Sequence, residues 1–110
     1  MHSQFLQFKA DFFKALANPL RLRIIEQLKA GPMTVSELNE KLQAEPTNLS
    51  QQLAVLKSKN ILLAEKKGIN VIYSCADPEI FAVLDSVRRL FENHLRNIKG
   101  MLESSQSYEE

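Results

Sequence analysis

Apolar side chains recur along most of this chain at the three- and four-residue spacing of an α-helix, between residues that start or stop helices. The pattern predicts five helices, over residues 4–16, 19–29, 34–42, 46–59 and 78–101. Between the last two, residues 62–67 and 71–75 have the pattern of short strands. Gly68 lies between these strands and can adopt the positive φ that a tight hairpin requires. The predicted fold is mainly α with a small β-hairpin, in the order α-α-α-α-β-β-α.

Local start signals support these helices. Asn18-Pro19 and Asp77-Pro78 each place a capping side chain before a proline at the first helical position. Thr34 and Glu37 have the spacing of a capping box, and Glu45-Pro46-Thr47 is typical of a turn that starts a helix. The middle of the chain therefore predicts a winged helix-turn-helix, with the hairpin as the wing.

The composition indicates one folded domain. The chain has 110 residues, of which 45% are hydrophobic and 25% charged. We assign residues 1–103 to this domain and residues 104–110 to a flexible polar tail. No apolar run approaches the roughly 18–20 residues of a membrane span, and the first residues lack a signal-peptide pattern. We therefore expect a cytoplasmic protein with no membrane partner.

The catalytic motifs of common enzyme classes are absent from the sequence. It contains no glycine-rich phosphate loop, no G-x-S-x-G, no H-E-x-x-H and no pair of C-x-x-C motifs. One cysteine excludes an intrachain disulfide. We predict that the protein is not an enzyme and uses no cofactor.

The fourth helix has an unusual polar face. Leu49, Leu53 and Leu56 form its predicted buried stripe. The opposite face carries small uncharged residues, with Ser50 on its flank: Thr47, Gln51, Ala54 and Ser58. Such side chains can approach base edges in the major groove, and the amino end of a helix favours a phosphate. A well-capped, solvated surface helix is the alternative interpretation of this face alone.

The placement of positive charge favours a nucleic acid, although the net charge is only +1. Residues 46–75 contain four lysines and one acid: Lys57, Lys59, Lys66, Lys67 and Glu65. In a winged helix, the end of the fourth helix, the hairpin tip and the start of the second helix border one DNA surface. The predicted contacts to phosphates or the minor groove are Arg21, Arg23, Lys57, Lys66, Lys67 and Asn70.

Three segments resemble the ArsR/SmtB (arsenic-repressor-type) regulators. Residues 16–25, LANPLRLRII, resemble the family's opening signature; residues 48–57, NLSQQLAVLK, its recognition helix; and residues 68–74, GINVIYS, its wing. The resemblance covers about residues 5–100 and is closest to members with an N-L-S-Q-Q-L recognition helix and no thiolate metal motif. It implies a homodimer that represses transcription by covering a double-stranded DNA operator.

The family's recognition positions carry over to four residues of this chain. The predicted base contacts are Thr47, Asn48, Ser50 and Gln51. Gln52 departs from the pattern, because many members of the family have histidine there.

Two apolar stripes predict the dimer. The first and last helices each have more apolar residues than a small core can cover. The predicted interface residues are Phe5, Phe8, Phe12, Ile80, Leu84, Val87, Phe91, Leu95 and Ile98. Two-fold symmetry would place two recognition helices about 34 Å apart, which matches an inverted-repeat operator.

Neither metal site of the resembling family is predicted. The residues at its two cysteine positions are the hydroxyls Thr34 and Ser36, which are poor ligands for soft metals. In its other site, Asp77 and Glu79 lie near the first half, but residues 89–93 hold no histidine, and His94, one position away, is the one remaining candidate ligand there. Cys75, the lone cysteine, has the pattern of a small buried apolar residue.

Two alternatives stay open at this point. One is a winged helix that docks a protein, and the other is a metal-responsive repressor with an atypical site. The signal also stays open, and a small-molecule inducer at the dimer interface is one candidate.

Overall fold

The computed structural model describes residues 2–109, with side chains for residues 2–105; Met1 and Glu110 lie outside the described part. The elements are α1 (His2–Leu16), α2 (Pro19–Leu28), β1 (Met33–Thr34), α3 (Val35–Leu42), α4 (Pro46–Ser58), β2 (Leu62–Lys67), β3 (Asn70–Cys75) and α5 (Glu79–Glu109). This order confirms the predicted winged helix-turn-helix and adds one strand. The chain forms two compact units. The first ends at Pro78, and α5 forms the second.

The core of the first unit lies where α2, α3, α4 and β2 pack together. Its fully buried side chains are all leucine or isoleucine: Ile24, Ile25, Leu38, Leu49, Leu53, Leu56 and Leu62. Burying one such side chain contributes about 1.5–3 kcal/mol to folding. The stripe predicted for α4 is confirmed, since Leu49, Leu53 and Leu56 are at most 1% exposed.

Caps fix where the helices begin. The Asn18 side chain accepts a hydrogen bond from the Arg21 amide at 3.0 Å, with Pro19 at the first helical position of α2. The capping box at α3 is also confirmed: the Glu37 amide donates to Thr34 Oγ1 and the Thr34 amide donates to the Glu37 carboxylate.

The sheet has three antiparallel strands in the order β1-β3-β2. Strand β1 was absent from the prediction. Its two residues, Met33 and Thr34, pair with Tyr73 and Ile72 of β3, and two residues are too few to show the alternation by which a strand is recognised.

The wing ends in a two-residue turn. Lys67 pairs with Asn70, which leaves only Gly68 and Ile69 in the loop. Gly68 has φ +63°, the left-handed conformation that favours glycine at the first position of a type II′ hairpin turn. Both strands therefore reach the tip in register.

Helix α5 differs from its prediction at its carboxyl end. The predicted end near Met101 is wrong, because the helix continues to Glu109. Residues 103–109 contain neither proline nor glycine, so nothing in them breaks the backbone ladder. Flexibility of residues 104–110 stays a prediction, and Glu110 lies outside the described residues.

Candidate nucleic-acid interface

Helix α4 separates an apolar face from a polar one. The leucine stripe is buried, whereas the four predicted base-contact side chains are all exposed: Thr47, Asn48, Ser50 and Gln51. All four belong to the first half of the helix, where none of the side chains is charged. The structure thus brings together short hydrogen-bonding groups on a surface that a base edge can approach closely.

The amino end of α4 is closed by Glu45. Its carboxylate accepts hydrogen bonds from the Thr47 amide at 3.0 Å and the Asn48 amide at 2.8 Å. These bonds lower the pKa of the Glu45 carboxyl below its ordinary value. The amino end of a helix was expected to favour a phosphate, but an acid of the same chain already occupies these two amides.

A line of hydrogen bonds connects Arg21 with the exposed face of α4. Nη1 of Arg21 donates to Oε1 of Gln52 at 2.8 Å. Nε2 of Gln52 then donates to Oδ1 of Asn48 at 2.9 Å, one helical turn away. Arg21 is itself anchored, since its Nε donates to the Ala15 carbonyl at 2.6 Å and Nη2 to the Lys14 carbonyl at 3.4 Å. The line therefore joins the end of α1 to a predicted base-contact residue.

The two arginines assigned to phosphates have structural partners in the chain. Arg21 is half-buried within the network above. Nη2 of Arg23 donates to the Leu42 carbonyl at 2.8 Å, at the last residue of α3. Both side chains link helices within the chain, and their assignment to phosphates stays a prediction. Sequence reasoning missed this linking role, and also that of Gln52, because they depend on contacts between helices that are distant along the chain.

The wing presents its charge to solvent. Lys66, Lys67 and Asn70 are exposed, as is Lys57 near the end of α4. Lys66 and Lys67 are adjacent in β2 and therefore point to opposite faces of the hairpin. Ile69, at the tip between them and Asn70, is 98% exposed.

Large apolar side chains are exposed on α1 and, separately, on α5. On α1 these include Phe5, Phe8 and Phe13, while Phe12 is half-buried. On α5 the exposed set is Val87, Leu90, Phe91, Leu95, Ile98, Met101 and Leu102. Of the other predicted interface residues, Leu84 is half-buried and Ile80 is only 6% exposed, so Ile80 offers little surface to a second chain.

The described residues contain no group of three or more His, Cys, Asp or Glu side chains that could hold a metal ion. His94 is exposed on α5. Cys75 is half-buried, and this burial raises the pKa of its thiol to about 11. Over the described part of the chain, no helix has the length and hydropathy needed to traverse a bilayer.

Residues 18–62 match the family described as "Bacterial regulatory protein, arsR family". The chain is 39% identical over 98 residues to the uncharacterized HTH-type transcriptional regulator Rv0081 of Mycobacterium tuberculosis, covering 88% of this chain and 86% of that protein. It is 32% identical over 91 residues to the HTH-type transcriptional repressor SmtB of the same organism, covering 82% of this chain and 67% of the repressor.

Solved structures have the same fold. The crystal structure of Rv0081 superposes with a TM-score of 0.76 at 38% identity, covering 84% of this chain and 94% of that one. A solution structure of the homodimeric winged helix-turn-helix DNA-binding domain Mb0332 from Mycobacterium bovis gives 0.75 at 28% identity, covering 84% and 86%. With these matches in sequence and fold, this chain belongs to the arsR family of bacterial regulatory proteins.

Proposed function

We propose that this DNA-binding transcriptional regulator is a homodimeric repressor that binds an inverted-repeat operator in the cytoplasm and is not an enzyme. The observation that supports this most is the division of α4. The leucine stripe of α4 is buried in the core. The exposed side chains on the rest of its first half are Thr47, Asn48, Ser50 and Gln51. A rigid helix with a short polar edge fits the major groove.

Base edges and phosphates have different partners in this proposal. The four polar residues of α4 contact base edges and give sequence preference. The exposed cations Lys57, Lys66 and Lys67, with Asn70 in the wing, contact phosphates or the minor groove and give affinity. Arg21 and Arg23 hold helices in place first and add positive charge to the same surface second.

A second copy of the chain completes the site. A single α4 contacts only a few base pairs, and two-fold symmetry doubles that number on an inverted repeat. The exposed apolar residues of α1 and, separately, those of α5 are the surfaces that we assign to this dimer. The homodimeric state of Mb0332 supports a dimer, and the choice of surface rests on the exposed apolar side chains alone.

A salt-dependent binding assay tests the proposal against protein docking. The full chain is titrated onto a fragment of its own promoter and onto random DNA of equal length, by fluorescence anisotropy at several salt concentrations. We expect a promoter complex that is tighter than the random one and that weakens steeply with salt. Equal binding to both fragments, or none, would contradict the proposal. A reporter gene behind the same promoter distinguishes repression from activation.

The metal-responsive alternative is tested on the same complex. Zn²⁺, Ni²⁺ or Co²⁺ is added in turn to the promoter complex. Because the described residues hold no metal cluster, we expect none of these ions to release the DNA. Release by any of them would favour an atypical site, with His94 as the first residue to replace. If none acts, a small-molecule inducer remains the candidate signal.

A further inference from the structure

The hydrogen bonds that join Arg21, Gln52 and Asn48 can run in only one direction, from donor to acceptor starting at Arg21. An arginine side chain has donors and no acceptor. Gln52 must therefore turn its amide oxygen toward Arg21, at 2.8 Å from Nη1. Its amide nitrogen, which is only a donor, then faces Asn48, and Asn48 must turn Oδ1 toward it, at 2.9 Å. The orientation of both amides therefore follows from the position of the Arg21 guanidinium.

Arg21 is held firmly enough to impose this direction. Besides Gln52, it donates to the backbone carbonyls of Ala15 and Lys14 at the end of α1. Its own backbone amide is bonded to Asn18 at the start of α2. A guanidinium fixed by two carbonyls cannot turn away from Gln52 without leaving those bonds unmade, which is costly for a charged group.

The orientation of Asn48 decides which group it shows to a base. Oδ1 and Nδ2 lie on opposite sides of the planar amide. Asn48 is exposed in the first turn of α4, and its Oδ1 is directed at Gln52. Its Nδ2 hydrogens therefore lie on the side of the amide that faces away from Gln52. In the major groove guanine presents only acceptors, N7 and O6, whereas cytosine presents only the N4 donor.

We propose that Arg21 and Gln52 act as positioning residues that make Asn48 a hydrogen-bond donor, so that Asn48 selects guanine over cytosine at one position of each half-site. This inference rests on the proposed function and deepens it. Adenine offers N7 and thymine O4 as acceptors, so both are tolerated, and cytosine is the base that is rejected most strongly.

The substitution Gln52→Glu tests this directly, because it keeps the shape of the side chain. One carboxylate oxygen still accepts from Arg21. The other takes the place of Nε2 and faces Oδ1 of Asn48, acceptor against acceptor. The Asn48 amide then rotates by half a turn, so that Nδ2 donates to the introduced carboxylate and Oδ1 faces the base. The variant should prefer cytosine over guanine at the position where the original chain prefers guanine.

The experiment selects bound sequences from a randomised operator library with the full-length chain. Asn48→Ala first identifies the position that Asn48 contacts, as the one where preference disappears. At that position we expect the original chain to favour guanine by about tenfold, the ratio that corresponds to about 1.4 kcal/mol. Gln52→Glu should reverse the ratio there and leave the other positions unchanged.

Two further variants complete the test. Gln43→Glu adds the same charge at the exposed end of α3, and it should weaken all sequences alike without reversing any preference. Gln52→Leu removes the hydrogen bonds and frees Asn48, so the guanine-to-cytosine ratio should fall toward one. If Gln52→Glu fails to fold, as judged by circular dichroism, the Gln52→Leu ratio decides.

The outcomes separate the inference from the proposed function. An original chain that selects no sequence at all overturns the proposed function and the inference with it. Sequence-selective binding in which Asn48→Ala changes no position, or in which cytosine is preferred from the start, overturns the inference alone. The same holds if Gln52→Glu keeps the guanine preference or Gln52→Leu leaves the ratio unchanged.

Discussion

The Glu45 carboxylate accepts a hydrogen bond from the Asn48 amide at 2.8 Å. A second bond, from the Thr47 amide at 3.0 Å, completes the cap of α4. A negative charge therefore lies at the helix end that we assign to the DNA surface. The cap favours a well-formed recognition helix, and its charge opposes close approach of a phosphate. The Glu45 charge therefore stabilises the helix and at the same time lowers the affinity for DNA.

Replacement Glu45→Gln should separate these two effects. The hydrogen bonds lower the pKa of Glu45, so its contribution to folding is present above the ordinary pKa of about 4.5 and is lost as pH falls below it. The variant should melt at a lower temperature than the original chain near neutral pH, and the difference should shrink as pH falls below about 4.5 and through the lowered pKa of Glu45. Its affinity for random DNA should rise. Thermal melting at several pH values and DNA titration measure both effects.

Glu40→Gln serves as the matched control, because it removes the same charge from α3 without touching the amides of α4. It should leave the pH dependence of melting close to that of the original chain. If Glu40→Gln reproduces the destabilisation seen with Glu45→Gln, the effect comes from net charge and not from the cap.

Gln51→Ala should lower sequence preference. Gln51 is exposed on the polar edge of α4, and a bidentate contact from such a side chain discriminates between bases by about 1–3 kcal/mol. The ratio of operator to random-DNA affinity should fall by this amount, while the salt dependence stays the same. Competition binding measures the ratio. Equal weakening on operator and random DNA would contradict the assignment of Gln51 to a base edge.

Lys67→Ala should lower the affinity for DNA without changing the sequence preference, unlike Gln51→Ala. Lys67 is exposed beside the wing turn, where it pairs with Asn70. If it neutralises a phosphate, its removal weakens binding to all sequences alike and reduces the slope of log affinity against log salt by about one for each phosphate that is no longer neutralised. The affinity ratio should not change. An unchanged slope would remove Lys67 from the residues assigned to phosphates, and Gln51→Ala is the matched comparison.

Cys75 should react slowly with alkylating agents in the folded protein. Because burial raises its pKa to about 11 from a reference of 9.0, its thiolate population near neutral pH is about one hundredth of an unperturbed cysteine's. The rate with iodoacetamide should rise about tenfold per pH unit between about pH 7 and 9 and stay far below that of the unfolded chain. Rapid alkylation near neutral pH would instead indicate an accessible, reactive thiol.

The local part of the fold was accessible from the sequence, and the reason is visible in particular residues. The caps at Asn18 and Thr34 depend on groups three residues away, and both are present. The stripe Leu49, Leu53 and Leu56 follows from helical periodicity alone. The exposed polar face of α4 could be predicted in the same way, because the face opposite a buried stripe is exposed.

What the sequence could not predict depends on pairing at a distance. Strand β1 exists only because Met33 and Thr34 meet β3, some forty residues later. The bond from Arg21 to Gln52 joins residues that are 31 positions apart. The Glu45 cap is a local exception: the helix start was predicted, but glutamate is not among the side chains that usually cap a helix, so its capping role was not. The base-contact and phosphate assignments stay predictions that only DNA binding can test.

Leu95→Asp should break the homodimer. Leu95 is 48% exposed on α5, among the apolar residues that we assign to the interface. Because about half of the Leu95 side chain is already covered within its own chain, each copy would lose about 0.7–1.5 kcal/mol of apolar burial, and two-fold symmetry makes this loss occur twice. The dissociation constant of the dimer should therefore rise by about tenfold to a hundredfold. Sedimentation velocity over a range of concentrations measures it.

The same variant should lose operator binding without losing its fold, because a monomer contacts only one half-site. Asn97→Asp is the matched control: it adds the same charge to α5 at a polar exposed position, two residues from Leu95 and so on a different side of the helix. The control should remain a dimer that binds the operator. If Leu95→Asp stays dimeric, α5 does not form the interface through Leu95. If it becomes a monomer that still binds an inverted repeat as tightly as the original chain, dimerisation is not what gives the affinity, and the two-fold arrangement of recognition helices is wrong.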